Sequence, residues 1–176
     1  MANNILTPNA TLSFPALFAP KPRSEGAKPV YSCSLLFSPE AQRSPEYKAM
    51  QMACANAAKA KFGADVKFAS LLLPFRDAGE KEHAGYEEGW TYISPWSEQR
   101  PGVVDAQVQD VIDPSLVYAG QTVRASIAPF AWKNSGRMGV SFGLNHLQLV
   151  KEGTRIDGRI PANKAFKPIE DSESPF

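Results

Sequence analysis

The sequence has few of the residues on which catalytic and metal sites are usually built. Its 176 residues include only two histidines, His83 and His146, and two cysteines, Cys33 and Cys54. Neither histidine stands in a recognisable catalytic motif, and there is no glycine-rich loop of the kind that holds a nucleotide phosphate. The cysteines lie in dissimilar contexts without ligand-spaced neighbours, so we expect buried free thiols rather than a zinc site or a disulfide. These absences predict a protein that is not an enzyme and that has no cofactor and no metal.

Long hydrophobic runs are also absent. No stretch is apolar enough to cross a bilayer, and the N-terminus has no basic-then-apolar leader. With 43% hydrophobic and 21% charged residues, the composition is typical of a globular protein, and the length fits one domain rather than two. We expect one domain over residues 1–158, followed by a linker and tail over residues 159–176. We also expect a cytoplasmic protein without a membrane partner.

Net charge is nearly absent, at +1, but it is distributed unevenly along the chain. Residues 168–176 contain three acids, Glu170, Asp171 and Glu173, and no base. Subtracting these from the 18 acids leaves 15 acids against 19 bases in the rest of the chain, a balance of +4. A basic body with an acidic tail indicates a charged partner.

The residue patterns that are present predict a mainly β domain with one long helix. Ser44 and Pro45 are typical of a helix start, and an alanine-rich run then continues to a stop at Gly63. Alternating apolar and polar residues predict strands at residues 12–18, 30–37 and 90–96, and a two-stranded hairpin over residues 121–153 with its turn at 134–136.

The hairpin over residues 121–153 combines cations with aromatic rings. In its first strand, one face is apolar, whereas the other carries Arg124, Phe130 and Trp132. Lys133 and Arg137 flank the turn. Cations beside flat rings are what a surface needs to bind single-stranded nucleic acid. The alternative is that Phe130 and Trp132 pack into the core, as large aromatics mostly do, and a bulge at Pro129 would turn Phe130 inward.

Further candidates for the same surface occur elsewhere in the chain. The bases would follow DNA phosphates, and the rings form the pool from which stacking platforms would be drawn. Solvated loops and buried rings are the alternative explanation. These candidates are Lys21, Arg23 and Lys28 in the loop after the first strand, Arg76 after an apolar run, and the strand aromatics Tyr31, Tyr92 and Trp96.

Two other functions are open on the residues alone. The acids between Asp77 and Glu87 suggest a small metal-dependent nuclease, although their spacing matches no known metal motif and solvated loop acids explain them. The aromatic face of residues 90–96 is equally compatible with an exposed interaction patch and with the core of a small barrel, since large exposed apolar patches mark interaction sites. If these rings are buried in an interface, the protein is instead a β-barrel protein-interaction or virion-assembly module.

The C-terminal segment from Ile169 to Phe176 is acidic, lacks apolar periodicity and is expected to be disordered. Its last residues, Pro175 and Phe176, allow a ring to enter an apolar pocket of a partner while basic residues meet the carboxylates. The alternative is a solvated terminus without function. We interpret the tail as a partner-binding segment formed by Glu170, Asp171, Glu173, Pro175 and Phe176.

Two resemblances join these features. The tail is similar to that of bacterial single-stranded-DNA-binding proteins, whose acidic C-termini end in Pro-Phe and recruit replication and repair enzymes. The body resembles the OB-fold single-stranded-DNA-binding proteins of tailed bacteriophages. The matching segments follow the expected order along most of the chain: residues 18–21, 35–37, 73–77, 103–105, 118–120, 123–126 and 139–145, with Gln148.

The resemblance implies an OB-fold, a five-stranded and partly open Greek-key barrel with one main helix, basic hairpin loops and a disordered acidic tail. It also implies sequence-independent binding of single-stranded DNA in phage replication, recombination or repair. The tail would regulate DNA binding and recruit replication or recombination proteins. The protein would act in the cytoplasm of the bacterial host, and a homodimer is compatible with the sequence.

Overall fold

The computed structural model describes residues 4–157 and 165–169. This part of the chain contains one long helix, α1 (Pro45–Phe62), and nine β-strands. The strands are β1 (Ile5–Leu6), β2 (Ala10–Lys21), β3 (Val30–Phe37), β4 (Arg76–Asp77), β5 (Thr91–Ile93), β6 (Trp96–Ser97), β7 (Gly102–Val104), β8 (Thr122–Asn134) and β9 (Arg137–Lys151). Short 3-10 helices span Ala41–Arg43, Phe68–Ser70, Ala78–Glu80 and Pro114–Leu116.

The strands close into a ring with five positions. β2 pairs with β3, β3 with both β5 and β6, β6 with β9, β9 with β8, and β8 with β2. β5 and β6 together occupy one of the five strand positions. Their pairing with β3 is interrupted at Ser94 and Pro95, because proline has no N–H to donate. The pairing of β6 with β9 is parallel and consists of Trp96 opposite Gly143. A five-stranded ring with one main helix confirms the expected OB-fold.

The hairpin of β2 and β3 contains an irregularity beside Pro15. The register shifts between Ser13 and Ala16, where β2 has one residue more than β3. Phe14, in this bulge, has a φ of 43°. A proline cannot donate a ladder hydrogen bond, so the bulge takes it out of the regular pairing.

Helix α1 begins and ends where the sequence indicates. The Ser44 hydroxyl oxygen accepts a hydrogen bond from the Tyr47 N–H at 3.2 Å, and Gly63 ends the helix with a φ of 100°. One stripe of the helix is buried against β8 and β9, so the helix completes the barrel core. The stripe consists of Tyr47, Met50, Cys54 and Ala58.

The hairpin of β8 and β9 is the longest pairing of the barrel. Its turn residues Ser135 and Gly136 have φ values of 51° and 80°, and positive φ at both positions is typical of the two-residue type I′ turn. Val123, Ala125 and Ile127 face the core, as their alternation predicts. β9 carries the extra residues where the register shifts, so the alternation along β8 stays intact.

The segment between β4 and β5 covers part of the outer face of the barrel. The acids of this segment suggested a solvated loop, yet Ala78 and Tyr86 are buried and pack against Leu36 and Tyr92. The Tyr92 ring meets the Tyr86 ring edge-on at 5.2 Å and is only 6% exposed. The prediction that Tyr92 is a stacking platform is therefore wrong for this conformation, because the loop occupies the face to which its ring points.

Both cysteines are free and buried, in line with the sequence. Burial raises the pKa of the Cys33 thiol and of the Cys54 thiol to about 12. Each thiol therefore stays protonated and packs as a small apolar side chain.

Candidate nucleic-acid interface

Small polar side chains line the outer face of β3 and of the β5–β6 edge. Because alternate residues of β3 point into the core, Ser32 and Ser34 point outward. The hydroxyls of Ser34 and Ser94 share a hydrogen bond at 3.0 Å. Ser32 lies opposite Trp96, so these two side chains share the outer face. We call Ser32, Ser34 and Ser94 the serine floor; its small side chains leave room for a ligand above them.

Two arginines stand beside the serine floor. Arg23, from the β2–β3 loop, donates from Nη2 to the Ser94 carbonyl oxygen at 3.4 Å, and Arg76 lies on β4. Burial of the guanidinium and, second, the positive charge of Arg76 lower the pKa of Arg23. Neither arginine forms an ion pair with a carboxylate of residues 4–157 or 165–169. Two like charges held near each other favour an anion between them, and a DNA phosphate is such an anion.

An aromatic pair lies on the same outer face. The rings of Trp96 and Phe130 meet edge to face, with centroids 5.8 Å apart and an interplanar angle of 83°. The bulge that we considered at Pro129 is absent, because Pro129 pairs in register with Phe142. Phe130 is consequently 36% exposed and not turned inward. We call the serine floor with Arg23, Arg76, Trp96 and Phe130 the outer groove.

Trp132 extends the aromatic surface toward the hairpin turn. It lies opposite Gly139, and a Cβ at Gly139 would be 2.6 Å from Cζ2 of the indole. The indole Nε1 donates to the Ser141 hydroxyl at 3.0 Å. The ring thus occupies the space above a position that has no side chain, and one hydrogen bond orients it.

Three lysines meet near the hairpin turn. Lys133 lines a cavity of about 540 Å³ together with Lys61 and Lys67, and Arg137 is exposed on the other side of the turn. The cavity floor is apolar and includes Phe62, Val66 and Met138. Lys61 and Lys67 were not among the expected DNA contacts, because only the tertiary fold brings the end of α1 to the hairpin turn.

The basic loop between β2 and β3 is less uniform than its composition indicates. Lys21 and Lys28 are both exposed, and Lys28 Nζ lies 3.5 Å from a Glu98 carboxylate oxygen. Such an exposed pair is worth about 0–1 kcal/mol, so a DNA phosphate can replace the carboxylate. Arg100, which the sequence did not single out, lies 5.2 Å from the centre of the Phe18 ring and adds a further cation beyond β6.

Two expected contacts lie apart from the outer groove. Tyr31 is half-buried opposite Ser97, on the strand parity that faces the core and not on that of Trp96. Arg124 lies about 20 Å from Phe130 along β8 at the usual rise per residue, and its Nε donates to Gln148 Oε1 at 2.6 Å. Parity correctly placed Arg124 on an outer face, but the residue spacing along β8 already separates it from Phe130.

The acidic segment does not assemble into a metal site. Within residues 4–157 and 165–169, no three His, Cys, Asp or Glu side chains are grouped so that they could hold a metal ion. Asp77 instead accepts a hydrogen bond from the Gly79 N–H at 2.9 Å. In the same part of the chain, no helix is long and apolar enough to cross a membrane.

The tail residues cannot be placed in the site. Glu170, Asp171, Glu173, Pro175 and Phe176, and the domain boundary expected after residue 158, lie outside the described residues. Of the segment expected to be disordered, Ile169 alone is described, and it is exposed.

A five-stranded barrel with cations and rings on one outer face defines the class of OB-fold proteins that bind oligonucleotides. Within that class, the chain belongs to the family described as "Enterobacter phage Enc34, ssDNA-binding protein", whose family model matches residues 3–176. This membership confirms the suspected resemblance to phage single-stranded-DNA-binding proteins and places the chain in a family that is not catalytic.

Solved structures share the fold. The single-stranded DNA-binding protein from bacteriophage Enc34 in complex with ssDNA is 21% identical, with a TM-score of 0.73 over 86% of this chain and 88% of that chain. gp2.5, a single-stranded DNA binding protein encoded by bacteriophage T7, is 16% identical, with a TM-score of 0.62 over 92% of this chain and 98% of that chain. No curated protein matches the sequence.

Proposed function

We propose that this protein binds single-stranded DNA along the outer groove, without regard to sequence. The observation that carries the proposal is the placement of two arginines, without carboxylate partners among the described residues, on the same outer face as the edge-to-face pair of Trp96 and Phe130. The arginines would contact phosphates, and the rings would stack on base faces. Neither contact reads the base edges, so the affinity should be nearly the same for all sequences. Membership of a family of phage single-stranded-DNA-binding proteins supports the same ligand.

The path of the strand continues along the β8–β9 hairpin. Trp132 offers a further ring, and Lys133 and Arg137 offer cations on both sides of the turn. On the other side of the groove, Lys21 and Lys28 extend the positive surface. Each phosphate that is neutralised releases counterions, so affinity falls as the salt concentration rises, with a slope of about 0.7 per contact for single strands.

The acidic tail acts as a built-in competitor in this proposal. Glu170, Asp171 and Glu173 carry the charge that suits the outer groove, and the rest of the chain carries the balance of +4 that suits DNA. When DNA displaces the tail, Pro175 and Phe176 are released for a replication or recombination protein. The site of action is the cytoplasm of the bacterial host, where phage DNA is replicated, recombined or repaired.

Tryptophan fluorescence tests the DNA-binding proposal directly, because Trp96 and Trp132 are the rings expected to stack. Titration with unstructured oligo-dT should quench the emission strongly, and Trp96→Phe and Trp132→Phe should each remove part of the quenching. Parallel titrations at several salt concentrations should show affinity falling with salt. Unchanged emission and an unaltered mobility of labelled oligo-dT in a gel shift assay would refute the proposal.

A further inference from the structure

A second aromatic group lies across the serine floor from Trp96 and begins at Phe14. This ring is 59% exposed although its backbone has a φ of 43°, a conformation that is unfavourable for a bulky residue. Because the ring is mostly exposed, its burial does not offset the energetic cost of this backbone conformation. Strained residues of this kind occur where the surrounding structure holds a side chain in place for a ligand.

The Phe14 ring contacts the loop that precedes β5. It meets the His83 ring at 5.0 Å with an interplanar angle of 78°, and His83 in turn meets Tyr86 at 5.3 Å. Tyr86 is buried and fixes the position of the group, whereas Phe14 and His83 are exposed. The bulge in β2 therefore presents an aromatic corner to solvent.

The corner opens onto a cavity of about 750 Å³, the Phe14 cavity, which is continuous with the outer groove because both include Arg23 and Ser32. Its lining includes Ser13, Phe14, Lys21, Arg23, Ser32 and His83. Two acids, Glu82 and Asp157, also line it; Asp157 accepts a hydrogen bond from Arg155 at 3.2 Å. The cavity thus combines flat rings for a base face with two cations for phosphate.

We propose that the Phe14 cavity holds one nucleobase of the bound strand, with its face against Phe14 and His83 and the adjoining phosphate at Lys21 or Arg23. This inference rests on the proposed function and extends the DNA path by one site beyond the outer groove. The occupant follows from continuity, because a strand that contacts Arg23 in the groove already lies at the mouth of the cavity.

The variant Phe14→Gly tests the site with little change to the backbone, since glycine adopts positive φ without strain. Affinity for oligo-dT long enough to span both sites should fall at least about fivefold, the lower limit for the loss of one base–aromatic stack. Val108→Gly is the matched control. Val108 is also an exposed apolar residue with positive φ, at 64°, and it does not line the Phe14 cavity. Its affinity should equal that of the unmodified chain.

Photocrosslinking gives a readout that does not depend on the stability of a variant. Oligo-dT with 5-iodouracil at successive positions is irradiated with the unmodified protein, and crosslinked peptides are identified by mass spectrometry. A crosslink to Phe14 or His83 supports the inference. Crosslinks confined to Trp96, Phe130 and Trp132, with normal binding by Phe14→Gly, would overturn it and leave the proposed function intact. Absence of any oligo-dT binding would instead refute the proposed function.

Discussion

Removing the charge of Arg76 should have opposite effects on stability and on DNA binding. In the free protein, the positive charges of Arg76 and Arg23 repel each other, and neither guanidinium is neutralised by a carboxylate of the described residues. Arg76→Gln removes this repulsion. Exposed charge pairs are worth about 0.2–1 kcal/mol, so we expect the free energy of unfolding to rise within that range at low salt. Above about 0.5 M salt the difference should vanish, because screening removes the repulsion.

The same substitution should weaken DNA binding. If Arg76 contacts one phosphate, the slope of log affinity against log salt should become shallower by about 0.7. The assay combines urea unfolding with oligo-dT titrations at four salt concentrations from about 50 to 300 mM, a range over which screening changes markedly. A gain in stability with a loss of affinity is the signature of a charge placed for a ligand and not for the fold.

Arg124→Gln provides the comparison. Arg124 is exposed like Arg76, but it is bonded to Gln148 and separated from the outer groove along β8. We expect its salt slope to change less than that of Arg76→Gln. The reasoning fails if Arg76→Gln lowers stability while leaving the slope unaltered, or if Arg124→Gln reduces the slope more.

Three further predictions concern other parts of the molecule. Gly139→Ala should cost about 1–3 kcal/mol of stability, as overpacking does, because the new Cβ would lie 2.6 Å from both the Leu72 carbonyl oxygen and Cζ2 of the Trp132 indole. The indole must then move, so oligo-dT binding should weaken; an unchanged near-ultraviolet circular dichroism spectrum would contradict this. Deleting residues 169–176 should tighten DNA binding, most at about 50 mM salt, where screening is weak. Equal affinities of the full-length and shortened chains at that salt concentration would contradict the proposal that the tail competes with DNA. Cys33 and Cys54, whose pKa values burial raises to about 12, should resist maleimide at pH 8 until denaturant is added; rapid labelling of the folded chain would show that the thiols are accessible.

Local features were predictable because they depend on neighbouring residues. Ser44 and Gly63 mark the helix ends through their own capping geometry, and the turn at residues 134–136 follows from residues that accept positive φ. The core parity of Val123 and Ile127 follows from strand alternation alone. The family could also be inferred, since its matching segments keep their order along the chain even where individual residues differ.

The composition of the site depended on contacts between distant segments. Alternation placed Tyr92 and Trp96 on one face, but the loop of residues 78–90 folds over Tyr92 and leaves Trp96 beside Phe130. Arg23 and Arg76 come together only because the ring closes around β3 and β5.

The sequence by itself thus determined the barrel, its helix, the long hairpin and the family. The tertiary structure decided which rings and cations form one surface. The physical reason is that a period of two fixes the face on which a side chain lies, and the rise per residue fixes its position along the strand, whereas what covers that face depends on packing between segments that are remote in sequence.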